Sequence, residues 1–241
     1  MIFFANKRVI HDYLIIKITD YIKMKDFNSY KVVFIEPNVN ELKKSSEYSW
    51  INKIDISIFL DSLPTNHYFS FDYPSDMNLK YTDLFLKKTW NNALKYCNHP
   101  NYITTIQFKP NNYLSFVEWF NKYNTLKIKS GILGLGNMCM IKYTTDFIID
   151  ALYYTFNNTN YKRIHVYGLS LKNIPIAVKF ANENNIDLSV DSTKWTQACT
   201  QELKLKYGLN CKESNRQEFF DTYLKLIKIK ISPEIRLNEV K

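Results

Sequence analysis

Short apolar runs alternate along the chain with longer stretches in which apolar residues recur every three or four positions. Ile2–Ala5, Lys31–Ile35, Tyr68–Phe71, Tyr102–Ile106, Gly131–Leu133, Arg163–Tyr167 and Ile186–Val190 have the length and composition of β-strands. Between them Trp50–Leu63, Thr82–Cys97, Tyr113–Tyr123, Thr144–Phe156 and Ile174–Asn184 show helical spacing, as in Phe147, Ile148, Ala151 and Leu152. A last helix is predicted over Arg216–Ile229. Strand–helix alternation predicts parallel strands joined by crossover helices. The pattern fits a compact α/β fold, a TIM-type (β/α)8 barrel, better than an open doubly wound sheet, which stands as the structural alternative. Its eighth strand is irregular or incomplete, with Leu209–Cys211 as the candidate. No Gly/Ser-rich or Pro-rich linker and no repeat interrupts the pattern, so residues 1–241 read as a single barrel domain.

In such a barrel the chemistry belongs at the C-terminal ends of the strands. Those ends carry Glu36-Pro37-Asn38, Asp72-Tyr73-Pro74, Gln107, Gly136-Asn137-Met138, Gly168 and Asp191 through Trp195. The chain has five glycines, and Gly131, Gly134, Gly136 and Gly168 fall in two short segments, Gly131–Cys139 and His165–Ser170. Turn chemistry accounts for such clustering, and so does close approach of a ligand to the backbone. Taken singly, each acid also reads as a helix cap or a solvated charge; Asp191-Ser192 would start a helix in that reading. Their joint placement at successive strand ends is what suggests a site.

A net charge of +9 and a pI near 9.1 favour a polyanionic partner. The basic residues are spread along the chain rather than gathered in a tail. The 46% hydrophobic content excludes a disordered chain. Cys97, Cys139, Cys199 and Cys211 form no C-x-x-C pair, which argues against a zinc site and a disulfide framework. No apolar run is long enough to span a bilayer, and the start lacks the order of a secretory signal. The expectation is a soluble cytoplasmic protein with no membrane partner.

As an ordered set, the strand-end segments resemble the tRNA-guanine transglycosylase superfamily, and most closely its DpdA-like branch, which places 7-deazaguanines in bacterial and phage DNA. Gly134-Leu-Gly136-Asn-Met-Cys139 is similar to that branch's Gly-Ile-Gly-Ser-x-Cys. His165-Val-Tyr-Gly168 is similar to its His-x-Phe-Gly, and Asp191-Ser-Thr-Lys-Trp195 to its Asp-Ser-x-x-Trp. Phe71-Asp72-Tyr-Pro74 and Ile106-Gln107 fall in the order and spacing of the base-binding Asp and Gln. The likeness covers roughly residues 30 to 200 and is specific as a set rather than motif by motif.

The resemblance implies a pentosyltransferase that exchanges guanine in nucleic acid for a free 7-deazaguanine such as preQ0, with no cofactor and no metal. Asp191 matches the nucleophile that attacks the sugar C1′. Asp72 matches the acid that accepts from the guanine-like edge, and Gln107 the carboxamide beside it. The backbone of Gly136, Asn137 and Met138, with Gly168, matches the strip that closes on the base. The family's Asp-Ser-Gly falls on Glu36-Pro37-Asn38, so Glu36 becomes the second catalytic carboxylate, one methylene longer. Lys142 stands where arginines are frequent, and the tRNA enzymes' zinc site is absent.

Tyr73 and Trp195 are candidates to stack on an extruded base, and each also reads as packing. Lys109, Lys142 and Lys194 are candidates for phosphate contacts, and each also reads as a solvated charge. The length leaves little room for an appended RNA-binding domain, which favours DNA over tRNA as acceptor, or a partner subunit. Two other readings remain: a barrel that grips nucleic acid without chemistry, and an unrelated barrel enzyme using the Gly134–Asn137 turn to cradle a sugar phosphate.

Overall fold

A computed structural model describes residues 1–6, 9, 11–138, 144–191 and 216–231. Eight parallel strands run in sequence order around the sheet: β1 (Ile2–Phe4), β2 (Tyr13–Lys17), β3 (Val32–Glu36), β4 (His67–Ser70), β5 (Tyr102–Ile106), β6 (Ile132–Leu135), β7 (Arg163–Val166) and β8 (Asp187–Asp191). Strand β1 pairs with β8, so the sheet curls back on itself. Its remaining seam, between β1 and β2, is joined among the described strand residues at Ala5: Ala5 N donates to Tyr13 O at 3.0 Å and Ala5 O accepts from Ile15 N at 2.8 Å. His11 Nε2 lies 2.7 Å from Phe3 O beside the same seam. The fold is the expected (β/α)8 barrel, nearly closed.

The helices are α1 (Ile18–Tyr21), α2 (Ile56–Asp61), α3 (Thr82–Tyr96), α4 (Tyr113–Asn124), α5 (Thr145–Asn158), α6 (Ile174–Glu183) and α7 (Arg216–Ile231). The predicted helix over Trp50–Leu63 is divided into a 3-10 turn, Ile51–Lys53, and α2. Asp55 divides it: its backbone is extended, and its carboxylate accepts from Ser57 N at 2.9 Å and Ile58 N at 3.2 Å, capping a new helix. The eighth strand is Tyr13–Lys17. The sequence candidate for it, Leu209–Cys211, lies outside the described residues, as do Lys142, Lys194 and Trp195. Too few residues separate β1 from β2 for a crossover helix, and α7 instead covers the outside of β1. There the Phe3 ring meets Phe220 at 5.9 Å and Tyr223 at 5.6 Å.

Alternation along each strand sorts its side chains to two sides. One set faces the helices. Phe69, Val33, Ile35 and Leu14 pack with Trp50, Leu60 and Phe85, while Leu133, Val166, Leu188 and Val190 pack with Phe116, Leu152 and Ala177. The other set fills the barrel. Phe4, Ile15, Phe34, Ile103 and Ile132 form a separate buried cluster, with Tyr13, Val32, Tyr68 and Tyr167 packed against it. At its centre Phe4 stacks on Phe34, ring centroids 4.0 Å apart. This aromatic plug divides the interior in two. Toward the N-terminal ends of the strands lies a cavity of about 430 Å³, lined by Met1, Ile132, Arg163, Asp187 and Ser189 among others. Toward the C-terminal ends the inward positions become polar.

Removing the plug exposes the barrel interior on both sides. Phe34→Ala should lower unfolding free energy by about 3–5 kcal/mol in chemical denaturation, with the same overall helix and sheet content.

Candidate active site

Two residues beyond the plug on β2, β3, β7 and β8, and four beyond it on β4, β5 and β6, the inward positions are Lys17, Glu36, Tyr167, Asp191, Asp72, Gln107 and Gly136, with Lys17 and Glu36 paired across β2 and β3. Asp72 is buried and fully engaged. Ser70 Oγ donates to its Oδ1 at 2.8 Å, and Gln107 Nε2 donates to its Oδ2 at 2.6 Å. Tyr48 OH donates to the Asp72 carbonyl at 2.6 Å and fixes the backbone. Ser70 Oγ also lies 2.8 Å from Thr105 Oγ1. Burial pushes the Asp72 carboxyl up, and the Ser70 and Gln107 hydrogen bonds oppose it. Burial and the charge of Asp72 push the Tyr167 phenol well up, so it stays neutral.

Asp191, the last residue of β8, is also buried, and its Oδ1 accepts from Gly168 N at 2.9 Å. Gly168 has φ of +68°, which aims its N–H at the carboxylate; an L side chain would strain that turn. No hydrogen bond among the described residues reaches Asp191 Oδ2. Glu36 sits at the same level with part of its surface open. Its pKa is pushed up to about 8, first by burial, then by the negative charge of Asp191; Lys17 opposes the shift and Asp72 adds to it. Glu36 therefore keeps its proton near neutrality while sharing the mouth with two other acids. Asp191, Asp72, Gln107 and Glu36 are brought together at one end of the barrel.

Gly136 is required by packing within the protein. A Cβ there would lie 2.1 Å from Gln107 Nε2 and 2.9 Å from Ile106 O, so the glycine makes room for the Gln107 amide to cross to Asp72. The space expected to receive a base is occupied by that amide. Asn137 has φ of 60° and its Nδ2 donates to Ser75 Oγ at 2.7 Å and Phe108 O at 3.1 Å, tying the turn to the β5 end. Met138 is buried with the outer core, so its side chain is a packing residue and only its backbone is near the mouth.

One candidate is corrected and another is found in an ion pair. Tyr73 is no stacking platform: 2% exposed, it lies outside the barrel among Tyr48, Phe71 and Phe85, with its OH donating to Glu47. The residue follows Asp72, and alternation turns it away from the interior. Lys109 is exposed but engaged, its Nζ 2.8 Å from Asp83 Oδ1, which offsets its value as a phosphate contact.

Sequence reasoning missed Lys17, Ser70, Thr105 and Tyr167 as lining groups. Recognising Tyr-Leu-Ile-Ile-Lys as a strand would have found Lys17, and counting back two from Asp72 and Gln107 would have found Ser70 and Thr105. Among the described residues no group of three or more His, Cys, Asp or Glu side chains is arranged to hold a metal ion. None of the described helices is long and apolar enough to cross a membrane.

Comparisons with protein-family models, curated proteins and solved structures gave no match to this chain. The site's meaning therefore rests on its own geometry.

The raised pKa of Glu36 fixes the sign of a pH effect. Between about 4.5 and about 8 the folded state holds a proton that the unfolded state has released, so stability falls as pH rises through that window and levels off above it. Glu36→Gln should remove this slope in denaturation measured from pH 4 to pH 9, and be more stable than wild type at pH 8.

Proposed function

We propose that the protein is a base-exchange glycosyltransferase that replaces guanine in nucleic acid, most naturally DNA, with a 7-deazaguanine through a covalent Asp191–sugar intermediate. The observation that carries this reading is the set of three carboxylates at the barrel mouth, one held protonated near neutrality and one tied at a single oxygen. In the first half-reaction Asp191 Oδ2 attacks C1′, the glycosidic C–N bond breaks, and the proton on Glu36 goes to the departing guanine. In the second, the Glu36 carboxylate takes the ring N–H proton of the incoming base. The base nitrogen then attacks C1′, the Asp191–sugar bond breaks and the starting state returns. Asp72, with Gln107 moved off its Oδ2, accepts from the donor edge of the purine-like base. The net charge of +9 favours a polyanionic substrate, and the target base must leave the stack to reach a buried aspartate.

A second reading has its own observation. Gln107 fills the space over Gly136 and holds Asp72, an arrangement complete without a base, as in a barrel that binds nucleic acid and has lost its chemistry.

Exchange of radiolabelled guanine into DNA and tRNA in parallel separates the two. Label should enter one polymer with the wild-type chain, and Asp191→Asn should abolish incorporation while nucleic-acid affinity stays within about twofold. Binding without incorporation in either polymer selects the second reading. Asp72→Asn should change the order of preference among guanine analogues; an unchanged order would remove Asp72 from base recognition.

A further inference from the structure

Among the described residues His165 is the titratable group buried at the level of the plug, and the proposed chemistry leaves it without a task. It lies on β7, fully buried, and its register partner on β8 is Ser189, two residues before Asp191. Residues two apart on a strand face the same side, so one imidazole reaches both. Its Nδ1 is 3.0 Å from Ser189 Oγ, and its Nε2 is 3.3 Å from Asp191 Oδ1. Phe4, Phe34 and Tyr167 surround the ring nearly edge-on, with centroids at 5.4, 4.9 and 4.3 Å and interplanar angles of 89°, 79° and 79°. The ring cannot turn over without displacing the plug.

Ser189 has one proton to give. Its hydroxyl can point away from the ring, to Ile164 O at 3.4 Å or into the cavity it lines, or it can point to His165 Nδ1 at 3.0 Å. In the first case Nδ1 carries the hydrogen, and the lone pair of Nε2 faces the Asp191 carboxylate in a buried place, which is repulsive. In the second case Nδ1 accepts, Nε2 carries the hydrogen, and an N–H faces Asp191 Oδ1. The second arrangement has the shorter bond and the favourable electrostatics. Nε2 makes no aligned hydrogen bond in the resting geometry, and the pair is close enough to align with a small turn of the carboxylate.

We infer that His165 is a positioning residue for Asp191, acting as its Nε2–H tautomer, and that Ser189 selects that tautomer. Gly168 N–H and His165 Nε2–H then both engage Oδ1, leaving Oδ2 as the less stabilised and more nucleophilic oxygen. The attacking role of Oδ2 rests on the proposed function; the tautomer does not.

The test has two readouts on the full chain. Nitrogen-15 NMR of histidine-labelled protein should show His165 protonated at Nε2 and bare at Nδ1 in the wild type, and a mixed tautomer in Ser189→Ala. His165→Ala would leave a hole among three rings, so Ser189→Ala is the informative variant for turnover. Its kcat for base exchange should fall about tenfold, the scale of one misdirected hydrogen bond, with KM within twofold. Wild-type protein with His165 protonated at Nδ1, or a Ser189→Ala chain with unchanged kcat, overturns the inference. Absence of base exchange in the wild type would defeat the proposed function, while the tautomer assignment would still stand or fall on the NMR spectrum.

Discussion

The barrel depends on what fills it. Eight parallel strands enclose a space that must be packed from the inside, because an empty interior would forfeit the dispersion contacts of every inward side chain. Here the packing is concentrated in the stacked rings of Phe4 and Phe34, supported by Ile15, Ile103 and Ile132. The plug holds β1 against β3 on either side of β2, next to the seam that Ala5 bridges. It also supplies the floor on which the polar mouth rests. The rings separate the mouth from the cavity at the other end of the barrel, and the acids further along the strands are buried or half-buried there.

That confinement sets the electrostatics. Three carboxylates and one lysine share the mouth, so their ionisation is interdependent. Glu36 gives way: burial and the nearby Asp191 raise it to about 8. Asp72 is compensated by donors from Ser70 and Gln107, and Asp191 by the Gly168 amide. The two glycines that matter are thus tied to the acids rather than to turns for their own sake. Gly136 lets Gln107 reach Asp72, and Gly168 presents its N–H to Asp191. A group that keeps its proton beside an oriented carboxylate is the arrangement on which the proposed acid–base-assisted displacement rests.

Most of the fold was legible because the two periodicities differ. Seven of the strands and the long helices announced themselves by alternation or by three-and-four spacing, and the strand ends pointed to Glu36, Asp72, Gln107 and Asp191. Tyr13–Lys17 escaped because it follows β1 without an intervening helix and runs directly into α1, with no turn residues to mark its end. Tyr73 was misplaced for a local reason: next to Asp72 in sequence, it faces the opposite side of the sheet, where Glu47 and Lys88 hold it.

The sequence by itself determined the strand–helix order, and with it a parallel sheet and the end at which polar residues gather. These follow from which residues avoid water and from the pitch of each element, both local properties. Closure into a barrel was left to the pairing of β1 with β8 and the contact at Ala5. Only the tertiary structure decided the partnerships: Gln107 on Asp72, Gly168 and His165 at Asp191, and Glu36 left with its proton. Each joins residues from different strands, and whether they meet depends on the stagger between neighbouring strands and on the rings that fill the space beneath them. Those quantities belong to the closed barrel as a whole and to no segment of the chain.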